Sequence, residues 1–427
     1  MGILYLVVSF VLLLMLRVPI AFALGLSSLG YIYWFMPAAV PLTVIPQIMS
    51  SKPASFPLLA IPFFVLVGEL MNATGISERL VDLAKAIVGH FRGGMGIVSL
   101  AASALMSSFS GSSVANSVGV GGITIPAMKR QGYPAPIAAG IESAASSLGT
   151  VIPPSISMIV YGSLTGVSIG GLFIAGYIPG ILEVIALAII IALIAKRHGI
   201  PVAERQPLSV IGPAFVRALG VLAIPVIIIG GILLGVMTAT EAGAVGAVYT
   251  LLLALVYRTV TWKLLYRVLL RTAVTTGVIL TVIATASVLG YVMTYERLPA
   301  KAADALLSGL SADWQIMLVI VLLMVIIGSF METNAAIAII APVIVGITAG
   351  TQLDPLFVGL IVVVSLSIGV ATPPVGVCLF TTAKIARTTI EKVSVAVTPL
   401  VGAVVLITAI LALLPGLVLW LPRLAGF

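Results

Sequence analysis

The residues best placed to do chemistry in this chain occur at two corresponding positions. Gly149-Thr150-Val151-Ile152-Pro153-Pro154-Ser155 interrupts one apolar stretch, and Gly369-Val370-Ala371-Thr372-Pro373-Pro374-Val375-Gly376 interrupts another. Adjacent prolines remove backbone donors and stop a helix, and each pushes the residue before it toward extended geometry. Carbonyls freed this way inside a membrane must face protein or water, not lipid. Broken membrane helices at matching places in two halves point to the substrate and ion site of a transporter. Upstream of each break lies a polar tip. The first, Ser110-Gly111-Ser112-Ser113-Val114-Ala115-Asn116-Ser117, gathers four hydroxyls, a glycine and an amide. The second is Gly328-Ser329-Phe330-Met331-Glu332-Thr333-Asn334. Small residues also serve helix packing, but the amide of Asn116 and the second copy favour a site.

Tip and broken helix each supply helix ends within the bilayer. N-terminal ends attract anions, and C-terminal ends with free carbonyls attract cations. Hydroxyl and carbonyl oxygens without a carboxylate shell suit Na⁺ better than Ca²⁺ or Zn²⁺. Two copies therefore imply two cation sites with an anionic substrate between them. Intramembrane acids are the other candidates. Glu142 and Glu332 lie near the motifs and could couple ions or tune the site, whereas Glu69, Glu183 and Glu241 read as interfacial or helix-pairing residues. Arg17 marks the inner boundary of the first helix.

Composition decides the solvent. The 427 residues are 61% hydrophobic and only 8% charged, with a mean hydropathy of +1.29. A soluble domain carries roughly 25% charged residues, so this surface suits lipid. The stretch Met1–Leu16 lacks the basic start of a signal peptide and reads as a retained first helix. The net charge of +8 sits in short loops, which is the positive-inside pattern and not a nucleic-acid footprint. One cysteine, Cys378, excludes internal disulfides, and two histidines, His90 and His198, offer no metal cluster. The sequence contains neither an HExxH nor a GxxxxGK[ST] pattern, so zinc-protease chemistry and ATP-driven pumping have no foothold.

The motifs recur in order. Pro153 to Pro373 is an offset of 220, Gly111 to Gly328 is 217, and Gly68 to Gly290 is 222. This spacing argues for duplication of a unit of about 200 residues. Lys and Arg set orientation. Ser77–Gly94 is basic, whereas Tyr295–Trp314 holds Arg297 and Lys301 but also Glu296, Asp304 and Asp313. The first stretch is placed inside and the second outside, so the repeats are inverted. Lys129-Arg130, Lys196-Arg197, the Arg258–Arg271 segment and Lys384–Lys392 then all fall inside.

Each half is expected to hold three membrane helices, an amphipathic connector, a re-entrant hairpin, a broken helix and a closing helix. The first repeat spans 1–200, with helices near 2–16, 19–36 and 57–75, hairpin tip 110–117, broken helix 134–162 and closing helix 172–195. A cytoplasmic linker covers 201–215. The second repeat spans 216–427, with helices near 216–237, 241–257 and 273–295, hairpin tip 328–334, broken helix 355–383 and closing helix 394–420. Pro37–Pro57, with five prolines, reads as an external loop. The fold class is an all-α polytopic membrane protein of two inverted repeats.

The run Ser110–Ala115, followed by Ile125-Pro126-Ala127-Met128-Lys129-Arg130-Gln131-Gly132-Tyr133 and Gly149–Ser155, resembles the large membrane subunit of tripartite ATP-independent periplasmic (TRAP) transporters. Gly369–Gly376 and Arg17-Val18-Pro19-Ile20-Ala21 are similar to that family as well, and the likeness covers essentially the whole chain. The family often has an acidic residue where this chain has Asn116. The resemblance implies import of an organic acid anion with Na⁺ into a bacterial cell, across its inner membrane. It also implies an elevator motion of a transport domain against a scaffold. The implied partners are a small four-helix membrane subunit and a periplasmic substrate-binding protein. Carried over by residue, one Na⁺ site would use Ser112, Ser113 or Asn116 with Gly149, Ile152 and Pro154. The other would use Gly328, Thr333 or Asn334 with Gly369, Thr372 and Val375. Ser113, Ser155, Asn334 and Pro374 would face the substrate. A single-component sodium–carboxylate symporter and, more remotely, a membrane enzyme acting on lipid-linked substrates are the competing readings.

The inverted threading predicts that cysteines placed at Lys129 and at Asp313 react from opposite sides of the membrane. Labelling of both from one side would overturn it.

Overall fold

The computed structural model describes residues 2–36, 43–307, 309–310 and 312–427, and all regular structure among them is helical. Seven helices are long and apolar enough to cross a membrane, and the pair Ala135–Val151 and Ile156–Thr165, bent by 40°, supplies an eighth crossing if taken as one span. Large apolar side chains such as Leu4, Val8, Leu12, Ile181, Ile185 and Ile189 are exposed. That arrangement is stable only where lipid replaces water.

The helix Pro355–Gly369 is the axis of the interior. Every residue from Phe357 to Gly369 is buried, as its all-round apolar sequence requires. Around it lie two packed cores. One joins Ile97, Ile141, Leu148, Leu187, Ile368, Val397 and neighbouring side chains. The other runs from Leu24 and Phe64 through Val282 and Ile320 to Val363.

Helices break where the sequence places its polar tips and prolines. Met95–Ser110 stops at Gly111, which adopts left-handed backbone (φ 56°). The chain returns as Ser113–Gly119 and Gly121–Arg130. The outgoing arm has 16 residues, about 24 Å, too short to span a core of roughly 30 Å. Ser99 and Thr124, 2.8 Å apart, zip the two arms. In the second half Asp313–Phe330 is followed by Thr333–Thr348. The first proline motif separates Leu148–Val151 from Ile156–Thr165, and the second separates Pro355–Gly369 from Val377–Ala386. In both motifs the bond between the prolines is cis.

Four expectations need revision. The 201–215 linker ends early, because the apolar run after Pro207 already forms the helix Leu208–Leu233, with proline tolerated at its N-cap. The Arg258–Arg271 segment is largely helical, since Thr261 caps a 34-residue helix, Trp262–Tyr295, through the amide of Leu264 at 3.2 Å. At about 51 Å this helix outruns the bilayer core, and its basic first turns extend past it. The closing stretch 394–420 is two helices, Ile390–Ala412 and Pro415–Leu424, divided before Pro415. Of Pro37–Pro57, residues 37–42 lie outside the described residues, and the rest forms the helix Val44–Ser51 and the turn Phe56–Leu59.

Helix ends carry a second pattern. The non-glycine residues with positive φ are Arg17, Arg258, Arg297 and Arg387, each just past a helix. Elsewhere Arg79 lies 3.4 Å over the Tyr257 ring and donates to the Arg217 carbonyl, which ties the connector Ser77–Val88 to its neighbours. Tyr31 donates to Glu296, holding that carboxylate below its usual range, with Lys301 at 3.5 Å adding to the effect.

Gly369 sits against the backbone of Gly328 with no room for a methyl group. Gly369→Val should therefore cost on the order of 2–3 kcal/mol by forcing these helices apart. The check is thermal unfolding of the detergent-solubilised protein, where an unchanged midpoint would show that the contact yields freely.

Candidate functional site

Both hairpin tips dock on the proline breaks in the same way. The Gly111 carbonyl accepts from the Ile156 amide at 3.3 Å, and the Ser329 carbonyl accepts from the Val375 amide at 3.1 Å. Each break leaves carbonyls and amides without helical partners, and the neighbouring tip satisfies some of them. The approach is close. A side chain at Gly149 would meet the backbone of Ser112 and Ser113 at 2.8 Å, and one at Gly111 would meet the Pro154 carbonyl oxygen at 3.0 Å.

At the first tip, Ser112 caps the Ser113–Gly119 helix by accepting from Ala115 at 3.4 Å. The Ser113 hydroxyl lies 3.4 Å from that of Thr150. Asn116 is fully buried, and its Nδ2 donates to the Ser103 carbonyl at 3.0 Å and to Ser107 Oγ at 3.1 Å. Its Oδ1 has no hydrogen-bond partner among the described residues. Ile152 and Pro154 are buried beside these groups. At the second tip, Gly328 and Gly369 touch, while Thr333 is buried with an unpartnered hydroxyl. Thr372 returns its hydroxyl to the Ile368 carbonyl at 2.7 Å, and Val375 is exposed.

A cavity of about 1110 Å³ lies between the two tips and three other helices. Ser112, Glu332 and Asn334 line it from the tips, and Glu69, Asn72 and Arg271 from the opposite wall. Of the four residues expected to face substrate, Asn334 lines this cavity. Ser155 is buried, its hydroxyl donating to the Thr150 carbonyl at 2.7 Å and capping Met158. Ser113 is buried next to Thr150, and Pro374 is exposed.

The acids part company. Glu142 is fully buried and its carboxylate accepts from Ser99, from Ser103 at 3.1 Å, and from Thr124 and Ser146 at 3.2 Å each. This cage pins both arms of the first hairpin to the helix Ala135–Ser146. Glu332 caps Thr333–Thr348 by accepting from Ala335 at 3.1 Å, and it also accepts from Asn334 Nδ2 at 2.8 Å. Asn334 Oδ1 in turn accepts from Ser157 at 3.0 Å, joining the second tip to the first broken helix. Glu241 completes a capping box with Thr238, and Glu69 lies 3.9 Å from Arg271. Glu183 is buried with neither oxygen partnered among the described residues.

Sequence reasoning missed Asn72, Thr150, Ser157 and Arg271. Thr150 lies inside the quoted motif and Ser157 two residues beyond it, and that proximity is the signal that could have found them. Arg271 was absorbed into an expected loop because its basic neighbours looked like loop charge.

Residues 7–417 match the family model described as tripartite ATP-independent periplasmic transporter, DctM component. The C4-dicarboxylate TRAP transporter large permease protein of Pseudomonas aeruginosa is 38% identical over 405 residues, covering 95% of this chain and 94% of that one. The isethionate TRAP transporter permease protein of Oleidesulfovibrio alaskensis is 38% identical over 412 residues, covering 95% of this chain but 64% of that longer one. The crystal structure of the Alcanivorax borkumensis YdaH transporter covers 96% of this chain and 98% of its own, with a TM-score of 0.62 and 17% identity. That likeness concerns the fold alone.

Removing the Glu142 carboxylate would empty a buried cage and strand the Ser103 hydroxyl, while Thr124 and Ser146 keep the backbone carbonyls of Val120 and residue 142 and Ser99 keeps Thr124. Glu142→Ala should cost on the order of 2–4 kcal/mol, with Glu142→Gln in between. An Ala variant that unfolds at the wild-type temperature would show that the cage does not hold the hairpin.

Proposed function

The chain belongs to the tripartite ATP-independent periplasmic transporters as their large, DctM-type permease, and from that premise we propose that it imports an organic acid anion together with Na⁺. As a member it is a multi-pass inner-membrane transport protein and not an enzyme. The observation that best supports the sodium reading is the pair of orphaned oxygens. Among the described residues each tip holds one buried side-chain oxygen without a hydrogen-bond partner, Asn116 Oδ1 at the first and Thr333 Oγ1 at the second. A buried, unpaired acceptor costs about 1–3 kcal/mol, and a small hard cation relieves that cost. The described residues hold no cluster of His, Cys, Asp and Glu suited to a transition metal.

Na⁺ at the first tip would be held by Ser113 and Asn116 with carbonyls of the Gly149–Pro154 segment. At the second it would be held by Thr333 or Asn334 with carbonyls around Gly369 and Thr372. Bound cations would lower the cost of bringing an anion between the tips, which couples the two solutes without nucleotide hydrolysis. In this reading the hairpins and broken helices form two inverted copies, and they move as a unit against the helices on the far wall of the cavity. With the basic loops inside, the cavity sits on the cytoplasmic half, as an inward-facing state requires.

Substrate choice differs among relatives, since one is named for a C4-dicarboxylate and another for isethionate. The shared chemistry is a small organic anion. The O. alaskensis relative exceeds this chain by about a third of its own length, which leaves room for a fused small subunit. Here that subunit and a periplasmic binding protein would be separate chains.

The test is uptake into proteoliposomes. Labelled anion should accumulate only with an inward Na⁺ gradient, the small subunit and a loaded binding protein. Ser113→Leu and Thr372→Leu should each raise the Na⁺ concentration for half-maximal uptake about tenfold while leaving the protein inserted. Robust uptake by the isolated chain would instead favour a single-component symporter, and unchanged Na⁺ dependence in both variants would remove these residues from the coupling sites.

A further inference from the structure

Arg271 and Glu69 stand on the wall of the cavity facing the tips. Arg271 is the one cationic side chain among the described residues lining it, and the other charged lining groups are Glu69 and Glu332. The Arg271–Glu69 contact is long, 3.9 Å, and loose, with side-chain exposures of 64% and 23%. Pairs of this kind contribute little to stability. Standing in the third turn of the helix Trp262–Tyr295, Arg271 opens its guanidinium on the cavity mouth, and so loose a pair leaves it free to take an anion. Lys263, Arg267 and Arg271 lie four residues apart on the helix Trp262–Tyr295, and all three are exposed. Side chains at this spacing share one broad helix face, about 6 Å apart along the axis. The row therefore runs from the basic end of the helix up to the cavity.

We propose that Arg271 is an anion-binding residue of the transport path, and that Glu69 competes with the substrate anion for it. This rests on the reading of the chain as an organic-anion importer and names a site on the wall opposite the tips. An anion between the tips meets two carboxylates, Glu69 and Glu332, and a single guanidinium. The fork of that guanidinium matches a carboxylate or sulfonate. When the substrate takes Arg271, Glu69 is released, and when the substrate leaves, Glu69 takes its place. Glu69 thereby limits how tightly the cavity holds its anion and favours release. Arg267 and Lys263 extend the attractive field toward the basic side, along the way out.

The two partners then make opposite predictions, which a purely structural pair would not. The experiment is counterflow in proteoliposomes holding this chain and the small subunit, with loaded binding protein outside and unlabelled succinate or isethionate inside. Arg271→Gln should raise the lumenal concentration for half-maximal exchange about tenfold and flatten its dependence on ionic strength. Glu69→Gln should lower that concentration, and slow turnover, by about threefold or more. Vesicles of phosphatidylcholine alone and vesicles containing phosphatidylglycerol separate substrate from lipid binding. An Arg271→Gln effect found only with phosphatidylglycerol would assign the row to lipid headgroups and overturn the proposal. So would two variants that shift in the same direction, or neither shifting, while thermal unfolding matches wild type. No counterflow by the wild-type complex would sink the importer reading itself, whereas normal wild-type exchange with unaltered variants would sink only the role of Arg271.

Discussion

The whole arrangement depends on one constraint, that backbone polar groups released within a bilayer must find partners inside the protein. Two proline pairs release such groups at the middle of the molecule, and two hairpin tips come to meet them. The Ile156 amide reaches Gly111, and the Val375 amide reaches Ser329. Close approach of this kind requires residues without side chains, so Gly149 faces Ser112 and Gly369 faces Gly328. Once the tips are so placed, their hydroxyls and amides are gathered in a lipid-free interior, and the remaining helices need only surround them.

Polar groups beyond the breaks link these parts. The Glu142 cage fastens the first hairpin to the first broken helix, while Ser157 and Asn334 connect that helix to the second tip. Asn72 donates to the Ala115 carbonyl at 3.3 Å across the cavity edge, and Gly68 packs against Ser110 beside it, so the far wall also touches the first tip.

Much of this was legible in the sequence because it follows from residue types that leave no choice. Prolines at 153, 154, 373 and 374 dictate the breaks, and hydropathy dictates the spans. The role of Glu142 was only half readable. Its burial followed from its apolar surroundings, but the four hydroxyls around it come from three separate segments that spacing does not unite. Glu241 resolved as the capping box its Thr238-x-x-Glu241 spacing allowed. Arg271 was hidden for a different reason. Basic residues near a membrane boundary signal orientation and solute binding in the same letters, and only the helix built on Thr261 shows that this one lies within the wall. The long helix Trp262–Tyr295 was likewise obscured, because Lys and Arg are good helix formers as well as loop residues.

Four arginines, at positions 17, 258, 297 and 387, end helices in the left-handed conformation that glycine adopts at least cost. Each accepts a backbone penalty of about 1 kcal/mol in order to keep a cation at the helix end. Stop signal and charge are thus written in one residue. During synthesis, when segments leave the ribosome one by one, a glycine at Arg17, Arg258 or Arg387, the three that the threading puts inside, would end its helix more comfortably but erase a charge that the insertion machinery reads. Lysine would keep the charge and the strain alike. Divergence at these three inner places is therefore narrowed by how the chain is threaded into the membrane as much as by how it sits there afterwards.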